Sequence, residues 1–273
     1  MYQVFYGLRE KPFHVTADPA FLYPSRHHQE ALNQLRYGIG ERLGFLMITG
    51  EVGTGKTTLA KALVNELASP TKTALILNPN FSGGQLLKVI LQDFGLELRG
   101  STRGEMIQIL EQFLLSQASQ GGVAVVIVDE AQALSSSALE QVRLLSNVET
   151  PKAKLLQIVL VGQPELEDRL ATDRRLRALG QRIAVRCQIH PLAEDEVASY
   201  IEHRLRVAGG QGFPQFTAGA IHLIAHTSQG IPRRINLLCD RALLAGFVRE
   251  SHSIDESMIE DSIPEESVSI STV

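Results

Sequence analysis

Residues 50–57 read GEVGTGKT and follow the apolar run LGFLMI at 43–48. A glycine-rich loop between a strand and a helix can curl until its backbone N–H groups converge on a phosphate, whose charge the helix N-terminus also favours. We predict that Lys56 reaches the β and γ phosphate oxygens of a nucleotide and that Thr57 is a Mg²⁺ ligand. The residues predicted to bind the nucleotide in this segment are Gly50, Glu51, Val52, Gly53, Thr54, Gly55, Lys56, Thr57 and Thr58.

Apolar runs of strand length recur along the chain and alternate with segments of helical spacing. In the helical segment at 137–148, Ser137 and Glu140 have the spacing of a capping box. The alternation predicts an α/β fold, a three-layer αβα core with a five-stranded parallel sheet. The phosphate loop at residues 50–57 indicates that this fold is of the P-loop NTPase type. The predicted strands lie at 43–48, 73–78, 123–128, 155–161 and 184–189, and the predicted helices at 56–68, 84–94, 103–118 and 137–148.

The strand pattern stops at Pro191, and only helical segments follow, at 193–207, 217–228, 233–249 and 255–262. Glycine and proline divide these segments, which predicts a small all-helical lid. The first residues are rich in aromatic side chains, and we expect them to be packed rather than flexible. The predicted division is an aromatic linker packed on the core at 1–25, the αβα core at 26–190, the helical lid at 191–263 and a flexible tail at 264–273.

Composition excludes several classes of protein. Of the 273 residues, 44% are hydrophobic and 21% charged, so the chain can bury a core and does not resemble a disordered protein. A net charge of −4 argues against nucleic-acid binding over the whole surface. Two cysteines, and no apolar run long enough to span a bilayer, lead us to expect a cytoplasmic protein without structural zinc.

Acidic residues follow the third predicted strand, where VAVVIVDEAQ places Asp129 and Glu130 at the edge at which open α/β sheets bind ligands. We predict that Asp129 holds the Mg²⁺ water shell and that Glu130 polarises the attacking water, which favours hydrolysis over mere nucleotide binding. Gln163 ends the next strand, within reach of the γ-phosphate and this water. Asn78 ends the second strand, where it would hold Glu130 away from the water until a partner binds. For Gln163 and Asn78, a role in a turn is the alternative.

Arginines are concentrated between residues 169 and 186, where Asp173 is the single acid. An arginine lent by a neighbouring subunit can neutralise charge on the γ-phosphate, which accelerates the reaction by roughly 10³ to 10⁵ where it operates. Arg182 is the first candidate for this role and Arg177 the second, with a solvated helix face as the alternative. Arg233 begins a helix after Gly230-Ile231-Pro232, where it would fold over the nucleotide and report its phosphate state, with a surface arginine as the alternative. The arginines of this cluster are Arg169, Arg174, Arg175, Arg177, Arg182 and Arg186.

Together these motifs resemble the AAA+ ATPases, and more narrowly the secretion-pathway protein A (ExeA/GspA) type, which includes shorter MshM-like pilus biogenesis members. The segments that carry the resemblance span about residues 1–263: FYGLREKPF, TADPAFLYPSRHHQEAL, GEVGTGKTTL, VDEAQAL, VGQPEL and GIPRRINLLCDRALLAGF. The resemblance implies ATP with Mg²⁺, the sheet order 5-1-4-3-2, Gln163 as sensor 1, Arg233 as sensor 2 and Arg182 as the arginine finger. The transposition ATPases MuB, TniB and TnsC are more distantly similar, which leaves DNA binding open.

The leading hypothesis is an ATPase that forms a ring or filament with ATP and drives or organises assembly of a cell-envelope machine. The machine would be a type IV-like pilus, a type II secretion system or a polysaccharide export system. The partners would be envelope-assembly or secretion proteins. We expect any contact with the inner membrane to be made through such a partner. The alternatives are a DNA-associated ATPase, whose arginines contact phosphates without selecting a sequence, and a nucleotide-gated adaptor with negligible turnover.

Overall fold

The computed structural model describes residues 1–67, 69–77, 79, 81–98, 102–150, 153–212 and 214–263. Asn78 and the predicted tail at 264–273 lie outside the described residues. The chain forms two compact units. One is an α/β unit of residues 26–52 and 56–189, and the other is a mainly helical unit of residues 1–25, 53–55 and those from 190 onward.

The strands of the α/β unit form one parallel sheet in the order β2-β3-β4-β1-β5. This is the predicted order 5-1-4-3-2 listed from the opposite edge, so the prediction is confirmed. Parallel pairing aligns Val128 with Leu160 and Thr49 with Gly162. The strands are β1 (Phe45–Gly50), β2 (Lys72–Ile76), β3 (Ala124–Val128), β4 (Leu156–Gly162) and β5 (Ile183–Ile189).

Both units contain α-helices, and 3₁₀ turns lie at Pro19–Phe21 and Ala131–Ala133. Short two-residue strands pair at Glu149–Thr150 with Ala153–Lys154 and at Gln215–Phe216 with Ser253–Ile254. The helices are α1 (Tyr2–Phe5), α2 (Arg26–Gly40), α3 (Lys56–Glu66), α4 (Gly83–Asp93), α5 (Arg103–Ser119), α6 (Ser136–Leu145), α7 (Pro164–Thr172), α8 (Arg177–Gly180), α9 (Glu194–Val207), α10 (Ala218–Ser228), α11 (Pro232–Val248) and α12 (Glu256–Glu260).

Helices cover both faces of the sheet, because successive side chains of a strand point to opposite faces. Phe45 and Met47 of β1 belong to an apolar cluster with buried residues of α4, α5 and α6. Leu46 and Ile48 point the other way and are fully buried, and both α2 and α3 pack against β1. The three-layer αβα prediction is therefore confirmed, and burial on two faces explains why the strands are continuous apolar runs.

The N-terminal aromatic segment belongs to the helical unit. Phe13 and Phe21 lie in one apolar cluster with buried residues of α9, α10 and α11, and Phe13 is only 1% exposed. The Arg204 guanidinium of α9 donates to the Pro12 carbonyl and lies 4.8 Å from the centre of the Phe21 ring. The sequence led us to expect packing of residues 1–25 on the α/β core, and the contacts described here are with the helical unit. Aromatic composition indicates burial but not the surface that provides it.

Two further details differ from the sequence predictions. The spacing patterns predicted neither α2 nor α7. The cap of α6 is Ser135, whose hydroxyl accepts a hydrogen bond from the Ala138 N–H, and Glu140 pairs with Arg143 instead of closing a capping box with Ser137. Three consecutive serines, at 135–137, stand at the start of this helix, and the capping pattern alone does not decide which of them is the cap.

Candidate nucleotide-binding site

The predicted site residues of the α/β unit follow strands that are neighbours in the sheet. Because β4 lies between β3 and β1, residues that follow these three strands meet at one edge, where parallel sheets bind ligands. Gly50 ends β1, Asp129 follows β3 and Gln163 follows β4. The topology therefore brings together side chains that are far apart in sequence.

The loop after β1 has a backbone that depends on its glycines. Gly53 and Gly55 have φ of 86° and 97°, a region that residues with a Cβ disfavour. The loop leads directly into α3, which begins at Lys56 and contains Thr57 and Thr58 in its first turn. The first N–H groups of a helix have no intrahelical partner, so the start of α3 is suited to an anion.

Lys56 is buried beside this loop, with 6% of its surface exposed. Its Nζ donates to the carbonyls of Gly50 and Glu51, each over 2.8 Å. Burial lowers the pKa of Lys56, although the carboxylates of Glu130 and Asp129 oppose that shift. Two of the three ammonium donors are satisfied by the backbone, which leaves one for a phosphate oxygen.

A hydrogen bond joins the two predicted Mg²⁺ ligands. Thr57 Oγ1 donates to Asp129 Oδ2 over 2.6 Å, and Asp129 Oδ1 accepts from the Glu130 N–H over 2.9 Å. Asp129 is 3% exposed, and burial raises its pKa despite these hydrogen bonds. Mg²⁺ prefers hard oxygen ligands and usually takes one or two carboxylates besides waters and substrate phosphates. The hydroxyl and carboxylate at this position fit that preference.

Glu130 is bound by two amide side chains. Its backbone has a φ of 52°, a conformation that is uncommon outside glycine and costs about 1–3 kcal/mol. Its Oε2 accepts from Nε2 of Gln132 and from Nε2 of Gln163, the latter over 3.3 Å. Gln132 Oε1 in turn accepts from the Gln163 N–H over 3.1 Å. Two of the predicted site residues, Glu130 and Gln163, are thus in direct contact, and Gln132 joins them.

Arg233 lies beside the phosphate-loop residue Gly53 within the helical unit. Its N–H donates to the Gly53 carbonyl over 3.2 Å. A Cβ on Gly53 would lie 2.7 Å from the Cβ of Arg233, so the two backbones approach closely. Pro232 starts α11 and Arg233 follows it with an exposed side chain.

Arg182 donates to side chains at the C-terminal end of α6. Its Nη1 lies 2.7 Å from Asn147 Oδ1 and 3.2 Å from Ser146 Oγ. Three other arginines of the cluster are also engaged by their own chain. Arg174 and Arg177 are exposed and donate to no group in the part of the chain that the structure describes. The other engaged arginines are Arg169, on the carbonyls of Gln132 and Leu134, Arg175, on Asp173, and Arg186, on Glu167.

Gln132 is a site residue that the sequence patterns did not single out. It lies two residues after Glu130, inside the segment VDEAQAL, but its contact with Gln163 joins residues 31 positions apart. A polar side chain in the turn directly after the predicted base was the available signal. Arg169 was predicted only as one cation of a cluster, whereas it supports the backbone of that turn.

Comparisons with known proteins identify the family of the chain. Residues 40–170 match the AAA domain family, and the chain is 45% identical over 255 residues to general secretion pathway protein A of Aeromonas hydrophila. The chain belongs to the AAA+ proteins. The family resemblance expected from the motifs, AAA+ of the secretion-pathway protein A type, is thereby confirmed.

Solved AAA+ structures show the same fold. Cdc6p from Pyrobaculum aerophilum has a TM-score of 0.72 at 19% identity, over 94% of this chain and 73% of that one. The Aeropyrum pernix ORC2 protein, solved as ADPNP and ADP complexes, has a TM-score of 0.68 at 19% identity, over 94% of this chain and 71% of that one. This AAA+ chain aligns over 93% of its own length with the Aeromonas protein but spans only 46% of that relative. Among the described residues, no helix has both the length and the apolar character needed to cross a bilayer.

Proposed function

We propose that this AAA+ chain is a Mg²⁺-dependent ATPase whose oligomer drives or organises the assembly of a cell-envelope machine. The observation that carries the hydrolytic part is the hydrogen bond between Thr57 and Asp129. It places the first turn after the phosphate loop against the strand end that bears Glu130. A loop that only bound phosphate would not require a carboxylate, a hydroxyl and a second carboxylate at one sheet edge.

The chain's own residues divide the task between binding and activation. The N–H groups of residues 50–57 and Lys56 bind the phosphates. Arg233, whose N–H donates to the Gly53 carbonyl, is a further residue assigned to nucleotide binding. Thr57 and Asp129 would hold Mg²⁺, Asp129 through water. Bound Mg²⁺ supplies positive charge to the β and γ phosphate oxygens.

Glu130 orients and polarises the attacking water, which a phosphoryl-transfer site needs because the nucleophile must stand opposite the leaving group. Gln163 contributes its amide to the same place, since it already donates to the Glu130 carboxylate. Both side chains follow adjacent strands, so the rigid sheet sets their separation.

Hydrolysis is completed in trans by an arginine of the 169–186 cluster. Arg177 is exposed and unpaired within the described chain, so it can reach a neighbour without leaving any partner. Arg182 would first have to leave Ser146 and Asn147, at a cost of about 1 kcal/mol for each hydrogen bond. We therefore consider both Arg177 and Arg182 as candidates for the arginine finger.

The role in envelope assembly is supported by the similarity to general secretion pathway protein A. In this proposal the chain hydrolyses ATP and works as a ring or filament with secretion or envelope-assembly proteins. It acts in the cytoplasm and reaches the inner membrane through a partner. The DNA-associated alternative is not favoured, because four of the six clustered arginines are engaged by groups of their own chain.

The decisive experiment measures phosphate release from MgATP by the purified chain, by Glu130→Gln and by Lys56→Ala, with Glu111→Gln on the exposed face of α5 as the matched control. We expect Glu130→Gln to bind ATP, to lose about 10²–10⁴ in turnover and to accumulate as an ATP-loaded oligomer in sedimentation. Lys56→Ala should bind ATP weakly. Wild-type protein that releases no phosphate at saturating MgATP would remove the hydrolytic proposal and favour the adaptor. Normal turnover in Glu130→Gln would remove the role assigned to Glu130.

A further inference from the structure

We propose that Gln132 is a positioning residue for the Glu130 carboxylate and that it couples this carboxylate to the loop of Gln163. The proposal rests on the ATPase function proposed above and deepens it. In this proposal Gln132 acts through Glu130, to which its amide donates a hydrogen bond.

Both ends of the Gln132 amide are in use, which determines its orientation. Nε2 donates to Glu130 Oε2, and Oε1 accepts from the Gln163 N–H over 3.1 Å. A flipped amide would set its oxygen against a carboxylate oxygen and its NH₂ against an N–H group. The Gln132 amide therefore has one favourable orientation. In it, the amide links the Glu130 carboxylate to the backbone of Gln163.

The surroundings of Gln132 are built to keep it there. Arg169 donates to the carbonyls of Gln132 and Leu134 and so braces the turn that carries the amide. Gly162 leaves the space that the side chain occupies, since a Cβ at that position would lie 2.9 Å from Gln132 Oε1. Gly162 thus leaves room for the Gln132 amide, and Arg169 holds the backbone that carries it.

The bonding pattern leaves one carboxylate oxygen for the reaction. Gln132 and Gln163 both donate to Oε2 of Glu130, whereas Oε1 accepts no hydrogen bond from the described residues. With Oε2 tied, rotation of the carboxylate is restricted and Oε1 is the oxygen that remains to accept from water. Because Gln163 is linked to Glu130 both directly and through Gln132, a displacement of the Gln163 loop would move the carboxylate.

The test compares Gln132→Met with wild type in steady-state ATP hydrolysis, nucleotide affinity and thermal unfolding. Methionine is similar in length and cannot form either hydrogen bond, and Gln120→Met at the exposed end of α5 is the matched control. We expect kcat to fall about 10–100-fold, since misplacing a catalytic group by about 1 Å costs on the order of 10². KM for ATP should stay within about twofold, because the residues that bind the phosphates are unchanged.

A second variant separates the two hydrogen bonds. Gln132→Glu keeps an acceptor for the Gln163 N–H but replaces the donor to Glu130 with a second carboxylate. We expect its kcat to be lower than that of Q132M at neutral pH. If Q132M does not fold, Gln132→Asn, whose shorter amide cannot reach both partners, replaces it and should lose kcat with little change in KM.

The outcomes distinguish this inference from the proposed function. Wild-type activity in Q132M or in Q132E would overturn the positioning role while the ATPase proposal stands. A loss of kcat accompanied by an equal loss of ATP affinity and a lowered unfolding temperature would show a structural role and would also overturn it. If wild type itself released no phosphate, the proposed function would fail before Gln132 came into question.

Discussion

At the scale of single residues, the site is costly to fold, because it buries ionisable groups. Burial raises the pKa of Asp129 above its ordinary value of 3.8 and lowers that of Lys56. A carboxyl whose pKa is raised in the folded state favours folding in its protonated form. Ionisation of Asp129 therefore destabilises the fold, fully so above the raised pKa and not at all well below 3.8. The same ionised oxygens are those suited to Mg²⁺.

This linkage gives a pH-dependent prediction for Asp129→Asn. As pH is lowered from 7 towards 4 without Mg²⁺, wild type should gain unfolding temperature relative to this variant, because only wild type takes up a proton at position 129. For a chain of this size, each kcal/mol corresponds to about 2–4 °C. The measurement is a series of thermal melts across this pH range.

Asp168→Asn, at an exposed position of α7, is the control for carboxylate loss in general. A constant difference between wild type and D129N at all pH values would contradict the expected burial effect. Asparagine keeps one acceptor for Thr57 but loses one for the Glu130 N–H, so the pH trend, rather than the absolute difference, is the readout.

At the scale of secondary-structure elements, the start of α6 provides a second prediction. The Ser135 hydroxyl accepts from the Ala138 N–H over 3.2 Å, whereas Ser137 is exposed within the first turn. We expect Ser135→Ala to lower the free energy of unfolding by about 1 kcal/mol, the usual cost of losing a cap. Ser137→Ala should change it by less than about 0.5 kcal/mol. Urea titrations of both variants measure this difference, and a larger loss in S137A would restore the capping box predicted from the sequence.

The sequence predicted those elements whose signal is local. The five strands and the phosphate loop are continuous patterns, so their positions followed from apolar runs and from glycine spacing. The link between Gln132 and Gln163 depends on the neighbouring positions of β3 and β4, and no pattern within VDEAQAL encodes it. The partner of Phe13 was missed for the same reason, because a buried aromatic ring can pack on either unit and its composition is the same in both cases.

At the scale of the whole molecule, one chain holds a nucleotide site together with arginines that its own residues do not use. Arg174 and Arg177 are exposed and unpaired within the described chain. The nearby carboxylate of Asp173 pairs with Arg175 instead. Exposed guanidinium groups without partners are suited to a charge on another molecule. A second copy with ATP in its site provides such a charge, and mixing variants tests whether it does.

Two inactive variants of this chain should restore activity when they are mixed. Glu130→Gln protein binds ATP and can lend its arginines, whereas Arg177→Ala protein keeps its own Glu130 but lends no guanidinium. When equal amounts of the two variants assemble at random into a head-to-tail oligomer, roughly a quarter of the interfaces combine an intact Glu130 with an intact Arg177. Phosphate release should therefore reach about a quarter of the wild-type rate. The double variant E130Q/R177A, which lends nothing, must not rescue R177A. Mixing Arg182→Ala protein with Glu130→Gln protein identifies the arginine finger. The arginine that acts in trans is the one whose substitution abolishes turnover and whose variant regains turnover when E130Q is added. If neither mixture exceeds the sum of its separate components at any ratio, the site is not shared between copies, and the exposed arginines serve another partner.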